Sequence, residues 1–230
     1  MNLLGILGGM SWTSTAEYYR LLNEAVAARL GGLHSARLLL YSVDFAAIEA
    51  MQNAGRWDEA GALLADAARG LERAGAQGLL LATNTMHKVA PDIEDAAGIP
   101  LLHIADVTAR AVREAGLTRV GLLATAFTME QDFYVARLAA HGLEVLVPDD
   151  AGRAEIHRII YDELCRGVVL DGSRQHYREV IATLAIRGAQ GVILGCTEIT
   201  LLVGQGDSPV PVFDTTALHV RAAVDWMLND

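Results

Sequence analysis

Two short segments carry the side chains best suited to moving protons and holding a carboxylate. Gly195-Cys196-Thr197-Glu198 follows an apolar run, so the cysteine stands at the end of a strand. Backbone N–H groups there stabilise a thiolate and lower its pKa from about 8.5. Glu198 is placed to accept or pass on a proton instead. An inert buried cysteine is the competing reading of Cys196. Thr83-Asn84-Thr85 also follows an apolar run, and its hydroxyl, amide and free backbone N–H groups suit a carboxylate. Thr197 could serve likewise from its own segment. The same residue types also cap helices and make turns. Cys165 belongs with the amphipathic Ile156–Leu164 segment and reads as a core residue.

Other chemistries fit less well. Gly5-Ile6-Leu7-Gly8-Gly9-Met10-Ser11 is glycine-rich after a first apolar run, but its spacing is not that of a dinucleotide loop. Asp44, the one candidate for a ribose hydroxyl, is followed by the helix-like run Phe45-Ala46-Ala47-Ile48. No Walker motif is present. His87, His103 and His219 have no partner at metal-ligand spacing, so no metal is expected and each reads as a surface or supporting residue. Lys88 is the single lysine; no phosphate-cradling glycine run lies beside it, so pyridoxal phosphate is not expected either.

A net charge of −10 argues against a nucleic-acid partner. The opening Met1–Trp12 stretch lacks a basic region and its apolar run is broken by glycines, so it reads as neither signal peptide nor membrane span. Two cysteines make no disulfide framework. The expectation is a soluble cytoplasmic protein.

Short apolar runs alternate with longer amphipathic ones along the chain. The runs predict buried strands at Leu3–Leu7, Leu38–Val43, Gly78–Ala82, Leu101–Ile104, Val120–Ala124, Glu144–Val147, Val192–Leu194 and Val210–Phe213. Helices are expected at Thr13–Leu30, Trp57–Ala74, Asp106–Ala115, Thr128–Ala140, Arg153–Cys165, Gly172–Arg187 and Thr216–Leu228. This pattern defines an α/β fold with mainly parallel sheets flanked by helices. Ligands in such folds bind beyond the carboxyl ends of the strands.

The chain also resembles itself. Gly75-Ala76-Gln77-Gly78-Leu79-Leu80-Leu81-Ala82-Thr83-Asn84-Thr85 aligns without gaps against Gly188-Ala189-Gln190-Gly191-Val192-Ile193-Leu194-Gly195-Cys196-Thr197-Glu198, at a constant spacing of 113 residues. Weaker echoes set Gly5–Gly9 against Gly121–Thr125, and Pro100–Asp106 against Pro211–Asp214. Recurrence in the same order predicts two similar lobes: residues 1–98 plus 215–230 as the first, and 99–214 as the second. Thr83 and Cys196 then occupy equivalent positions. A pseudo-twofold axis would bring them face to face across a cleft.

Together these segments resemble the aspartate/glutamate racemase family, closest to its bacterial broad-specificity amino-acid racemase branch. The marks are Gly8-Gly9-Met10-Ser11-Trp12 with Ser14-Thr15 and Tyr18-Tyr19, Ser42-Val43-Asp44-Phe45, Thr83-Asn84-Thr85-Met86-His87-Lys88 and Thr128-Met129-Glu130-Gln131-Asp132-Phe133-Tyr134. Gly195-Cys196-Thr197-Glu198 and Pro211-Val212-Phe213-Asp214 complete the set. The resemblance implies two α/β lobes, a homodimer, and two opposed thiols that exchange the Cα proton of an amino acid with no cofactor. Donors beside each cysteine hold the α-carboxylate, and Asn84, Thr85 and Thr197 match those places. The candidate substrate-binding set is Met10, Gln52, Asn84, Thr85, Thr125, Thr197 and Glu198, with Cys196 and Thr83 as the catalytic pair.

Two departures stand out. The first cysteine is Thr83, whose hydroxyl is too weak an acid to serve as a resting base. Abstraction from the Cys196 side should therefore dominate, making turnover slow or strongly one-directional in rate. Second, the stretch Phe45–Gln52 has no Lys or Arg where aspartate-selective members carry a basic residue, so broad or neutral specificity is as consistent as aspartate or glutamate. The rival readings are a single-cysteine decarboxylase of the same superfamily, which would release carbon dioxide from a malonate, and a non-catalytic amino-acid-binding relative.

Overall fold

The computed structural model describes residues 1–229. In chain order the elements are β1 (Leu4–Gly8), α1 (Trp12–Leu30), β2 (Leu38–Ser42), α2 (Phe45–Asn53), α3 (Trp57–Arg73), β3 (Gly78–Leu81), α4 (Ala90–Ala96), β4 (Leu101–Leu102) and α5 (Ile104–Glu114). They continue with β5 (Arg119–Ala124), α6 (Ala126–Glu130), α7 (Asp132–Ala140), β6 (Glu144–Leu146), α8 (Asp150–Arg158), α9 (Asp171–Ile186), β7 (Gly191–Gly195), β8 (Val212–Asp214) and α10 (Thr215–Leu228).

The strands form two parallel four-stranded sheets of order β2-β1-β3-β4 and β6-β5-β7-β8. The second order is the first with each number raised by four, so the internal repeat is also a repeat of topology. The chain divides into two compact units: Met1–Ile104 with the chain from His219 onward, and Ala105–Leu218. The crossings fall at the start of α5 and inside α10. β4 pairs with β3, Leu79 opposite Leu101 and Leu80 opposite Leu102, and so belongs to the first sheet.

In the first unit, alternate residues of a strand serve opposite faces. Leu7, Leu79 and Leu81 pack with Ala60, Leu64, Ala67, Ala68 and Leu71 of α3. Leu4, Ile6 and Leu80 pack with Tyr18, Leu22 and Val26 of α1 and with Val220, Ala223, Val224 and Met227 of α10. Both faces are covered, which explains why β1 and β3 read as continuous apolar runs rather than alternating ones. Each fully buried leucine contributes on the order of 2 kcal/mol. β2 is different: it is an edge strand, and Leu40 and Tyr41 are exposed. That corrects the expectation that it is buried.

All eight expected strands are present, each shifted by a residue or two at its ends. Three segments differ more. The strand expected over Leu101–Ile104 stops at Leu102, because Ile104 already begins α5. The helix expected over Thr128–Ala140 is two helices broken at Gln131, which is extended at φ −96 and ψ 143. The helix expected over Arg153–Cys165 starts earlier, where the Asp149 side chain accepts the Gly152 N–H over 2.9 Å. It then widens to a π turn over Ile159–Glu163, tightens to a 3-10 turn over Leu164–Arg166 and ends at Gly167, φ +74. No helix among the described residues is long and apolar enough to cross a membrane.

Candidate active site

In each sheet the chain leaves its central strand towards one edge and returns to the other side. The reversal lies between β1 and β3 in the first unit, and between β5 and β7 in the second. A crevice opens beyond the strand ends at such a point, so the residues after those four strands decide what each unit offers.

In the first unit they are Gly9–Ser11 after β1 and Ala82–Thr85 after β3. Gly9 has φ +92, and a Cβ there would lie 2.3 Å from the Val43 carbonyl oxygen. Its N–H donates to Thr15 Oγ1 over 2.7 Å. The glycines after β1 thus serve chain path and close packing. Asp44, weighed as a ribose ligand, caps α2 by accepting the Ala46 N–H over 3.2 Å.

Thr83, Asn84 and Thr85 are all buried, as are Met10 and Gln52. The chain bends sharply at Thr83, whose N–H donates to the Leu81 carbonyl over 2.9 Å. Gln52 Nε2 lies 3.0 Å from Met86 Sδ, which ties α2 to the turn after β3.

Histidines brace this loop from behind. The Ile104 N–H donates to His87 Nε2 over 3.3 Å, so the ring's proton is on Nδ1, which donates to the Thr83 carbonyl over 2.7 Å. His103 packs edge-on against His87 with centroids 4.5 Å apart. His219 Nε2 donates to the Leu102 carbonyl over 2.7 Å, leaving Nδ1 to accept from the Tyr18 hydroxyl over 3.0 Å. Burial pushes the His219 pKa down to about 4. The three histidines read as surface or supporting residues are all buried. Lys88 places its ammonium 4.0 Å above the Trp57 ring. Among the described residues no group of three or more His, Cys, Asp or Glu side chains is arranged to hold a metal ion.

In the second unit, Ala124 of β5 is in register with Gly195 of β7, so Thr125 and Cys196 leave neighbouring strands side by side. Cys196 Sγ donates to Glu198 Oε2 over 3.0 Å. Thr215 Oγ1 donates to the Leu194 carbonyl over 2.9 Å, and Thr216 Oγ1 to Thr197 Oγ1 over 3.2 Å. These bonds fix the end of β7 against the start of α10. Thr125, Thr197 and Glu198 are buried; Thr125 Oγ1 lies 3.2 Å from Thr128 Oγ1.

The electrostatics at Cys196 reverse the expectation of an acidified thiol. Cys196 keeps partial solvent exposure, yet protein atoms crowd its sulfur. Burial pushes its pKa well up, with further upward contributions from the Glu198 charge and from Cys165. The Glu198 backbone N–H pulls the other way, but more weakly. At rest Cys196 is therefore a thiol whose proton is directed at a Glu198 carboxyl oxygen.

Cys165 departs from its sequence reading, and several further polar residues were not singled out in the sequence. Cys165 is half-buried rather than a core residue, and its turn packs against Thr197–Leu201. His157 Nδ1 accepts the Ala126 N–H over 3.1 Å and so fixes the chain beside Thr125. Glu163 is buried, accepting from Ser173 Oγ over 2.5 Å and pairing with Arg158 over 2.8 Å. Tyr177, one turn after Ser173, is fully buried. Ser173, Tyr177, Ile181 and Leu184 recur on the buried face of α9, a spacing that marks core without distinguishing its polar members.

A family profile described as Asp/Glu/Hydantoin racemase matches residues 7–223, and the chain belongs to that family, whose racemases are isomerases. Its fold matches that of a candidate Asp/Glu racemase from Yersinia pestis with a TM-score of 0.94 and 56% identity, covering 99% of this chain and 100% of that one. An aspartate racemase homologue from Pyrococcus horikoshii matches with a TM-score of 0.86 and 36% identity, over 99% of this chain and 100% of that one. In sequence the chain is 24% identical to the broad specificity amino-acid racemase RacX of Bacillus subtilis, over 98% of each.

Proposed function

We propose that this protein racemises amino acids by proton transfer at Cα, without pyridoxal phosphate or metal, with Cys196 as its principal acid/base. The observation that carries this reading is the 3.0 Å hydrogen bond from Cys196 to Glu198 at the carboxyl end of β7. Glu198 takes the thiol proton, the thiolate removes the Cα proton of the substrate, and the sequence runs in reverse for the other enantiomer. Asn84, Thr85 and Thr197 hold the α-carboxylate and favour the enolate-like charge that develops on it. Met10, Gln52 and Thr125 complete the substrate's surroundings.

Thr83 stands at the position equivalent to Cys196, in the place of the first cysteine that the family pattern implies. Its hydroxyl supplies the second proton, or holds the water that does. α2 carries no Lys or Arg to pair with an acidic side chain, and the relative named for broad specificity supports a substrate range beyond aspartate and glutamate. A cytoplasmic homodimer is part of the same reading. Self-association is supported by Leu40 and Tyr41 on the edge strand and by Trp12 and Tyr19 of α1, all exposed large apolar side chains.

The test is proton NMR of a panel of L- and D-amino acids in deuterated water with no cofactor added. Loss of the Cα signal with the native protein, and its persistence with Cys196→Ala, supports the reading and names the substrates. Equal loss with both proteins, or none with either in folded samples, overturns it.

A further inference from the structure

The two equivalent strand ends are held in different ways. In the second unit the Cys196 carbonyl accepts the Ile199 N–H over 3.2 Å, a bond within one turn of chain. In the first unit the Thr83 carbonyl accepts from a buried side chain, His87 Nδ1, over 2.7 Å. At the spacing of 113 residues that relates the two segments, the place of His87 falls on Thr200. Thr200 is exposed, and its hydroxyl donates over 2.8 Å to the Thr197 carbonyl rather than to that of Cys196. The ring that holds the strand end is therefore particular to the threonine unit.

The fold leaves that ring little freedom. The Ile104 N–H at the start of α5 donates to Nε2 over 3.3 Å, which makes Nδ1 the protonated nitrogen and the donor to Thr83. The rings of His103 and His219 pack against it at an angle, with centroids 4.5 and 6.1 Å away. On the other side of the Thr83 Cα, its N–H donates to the Leu81 carbonyl over 2.9 Å. With the N–H and the carbonyl both held, the direction of the Thr83 Cα–Cβ bond is set. A hydroxyl is a weak acid with a short reach, so its proton passes to carbon only from an aligned position.

We propose that His87 is a positioning residue for the Thr83 half of the reaction. Its Nδ1–H holds the Thr83 carbonyl so that the hydroxyl, or the water it holds, stays in line with the substrate Cα. The inference rests on the reading of this protein as a racemase. His87 itself moves no proton and touches no substrate.

The test compares two substitutions that each keep one half of the ring's bonding. An asparagine amide nitrogen stands where Nδ1 does, so His87→Asn keeps a donor for Thr83 and gives up the Ile104 bond. A glutamine amide oxygen reaches where Nε2 does, so His87→Gln keeps an acceptor for Ile104 and gives up the Thr83 bond. Each variant loses one of two bonds, so both should melt below the native protein. In deuterated water, the faster-exchanging enantiomer gains a deuteron either with retention, from the Cys196 side, or with inversion, from the Thr83 side. Chiral chromatography with mass spectrometry at early times gives the number of inversions per deuteron gained. His87→Gln should lower that ratio by about ten-fold, with exchange by retention and KM within about two-fold of native. His87→Asn should keep the ratio within about two-fold of native. An unmoved ratio in His87→Gln, or an equal fall in both variants, overturns the proposal.

If His87→Gln does not fold, His87→Asn decides: a native ratio supports the proposal and a ten-fold fall, about the size of one lost bond, overturns it. NMR of the native protein carrying nitrogen-15 histidine needs no variant, and a His87 proton on Nε2 rather than Nδ1 also overturns it. Exchange undiminished by Cys196→Ala overturns the racemase reading and this inference with it. Exchange that depends on Cys196 but keeps its ratio in His87→Gln overturns this inference alone.

Discussion

The Cys196 thiol donates to the Glu198 carboxylate over 3.0 Å, and the carboxylate's charge helps to hold that proton on sulfur. The same side chain therefore opposes the thiolate electrostatically and, in the proposed mechanism, receives its proton. Glu198→Gln separates the two roles. Removing the charge should lower the thiol's titration midpoint, while removing the base should slow Cα exchange by about 100-fold. A faster variant would show that Glu198 only repels charge.

The raised pKa of Cys196 also sets a pH dependence. With the thiol's pKa pushed up, the protonated form dominates through neutral pH and the thiolate population grows as pH rises towards that pKa. Because the proposed transfer to Glu198 leaves the protein's proton count unchanged, exchange measured as kcat/KM should stay level to within about a few-fold between about pH 6 and 8 and climb only at higher pH, by at most about ten-fold per unit. A profile that falls over this range would exclude Cys196 as the abstracting base.

Thr83 and Cys196 occupy equivalent places in two sheets of equivalent order, but their acidities are far apart. Deuterium wash-in at Cα should accordingly favour the enantiomer whose proton faces Cys196. Thr83→Cys should raise wash-in to the opposite enantiomer by about ten-fold or more, narrowing the difference. The racemisation equilibrium stays near unity whatever the rates. Unchanged relative wash-in rates in that variant would argue against Thr83 as the second group.

His219 makes the first unit sensitive to acid. Its folded pKa of about 4 lies below the unfolded value of about 6.5. Between these values the unfolded chain binds a proton that the folded chain refuses. Stability is therefore full above about pH 6.5 and is lost as pH falls towards 4, by up to about 3 kcal/mol. Urea unfolding at pH 7.5 and 5.0 checks this. His219→Gln should be less stable at pH 7.5, losing the bonds to Tyr18 and Leu102, but should show a shallower fall with pH.

Gly9→Ala should cost at least about 3 kcal/mol, because it combines a left-handed backbone with a Cβ at 2.3 Å from the Val43 carbonyl. Gly70→Ala, inside α3 with open space around it, should instead stabilise by about 0.5–1 kcal/mol. Chemical denaturation of both variants against the parent reads the contrast directly.

Local order was legible along the chain. Apolar runs located every strand, and in the central strands such as β1, β3, β5 and β7 they are continuous because a strand covered on both faces must be apolar throughout. The match of Gly75–Thr85 to Gly188–Glu198 anticipated two sheets of equivalent order, since similar segments follow similar paths. Thr83 and Cys196 could be picked out because strand ends at a chain reversal are where backbone donors are free. Gln131, with no glycine or proline beside it, gave no sign that a helix would break there, nor did Ile159–Glu163 show that its helix would widen.

The acidity of Cys196 was only partly legible in the sequence. Backbone donors near a strand end are a local property, and they suggested a lowered pKa. Glu198 lies only two residues on and was in view in the sequence, but burial and the approach of Cys165 are set by how distant segments pack, and together these prevail. The buried histidines around Thr83 belong to the same category. The histidine bonds join residues from about twenty to two hundred positions apart, which only the tertiary fold brings together.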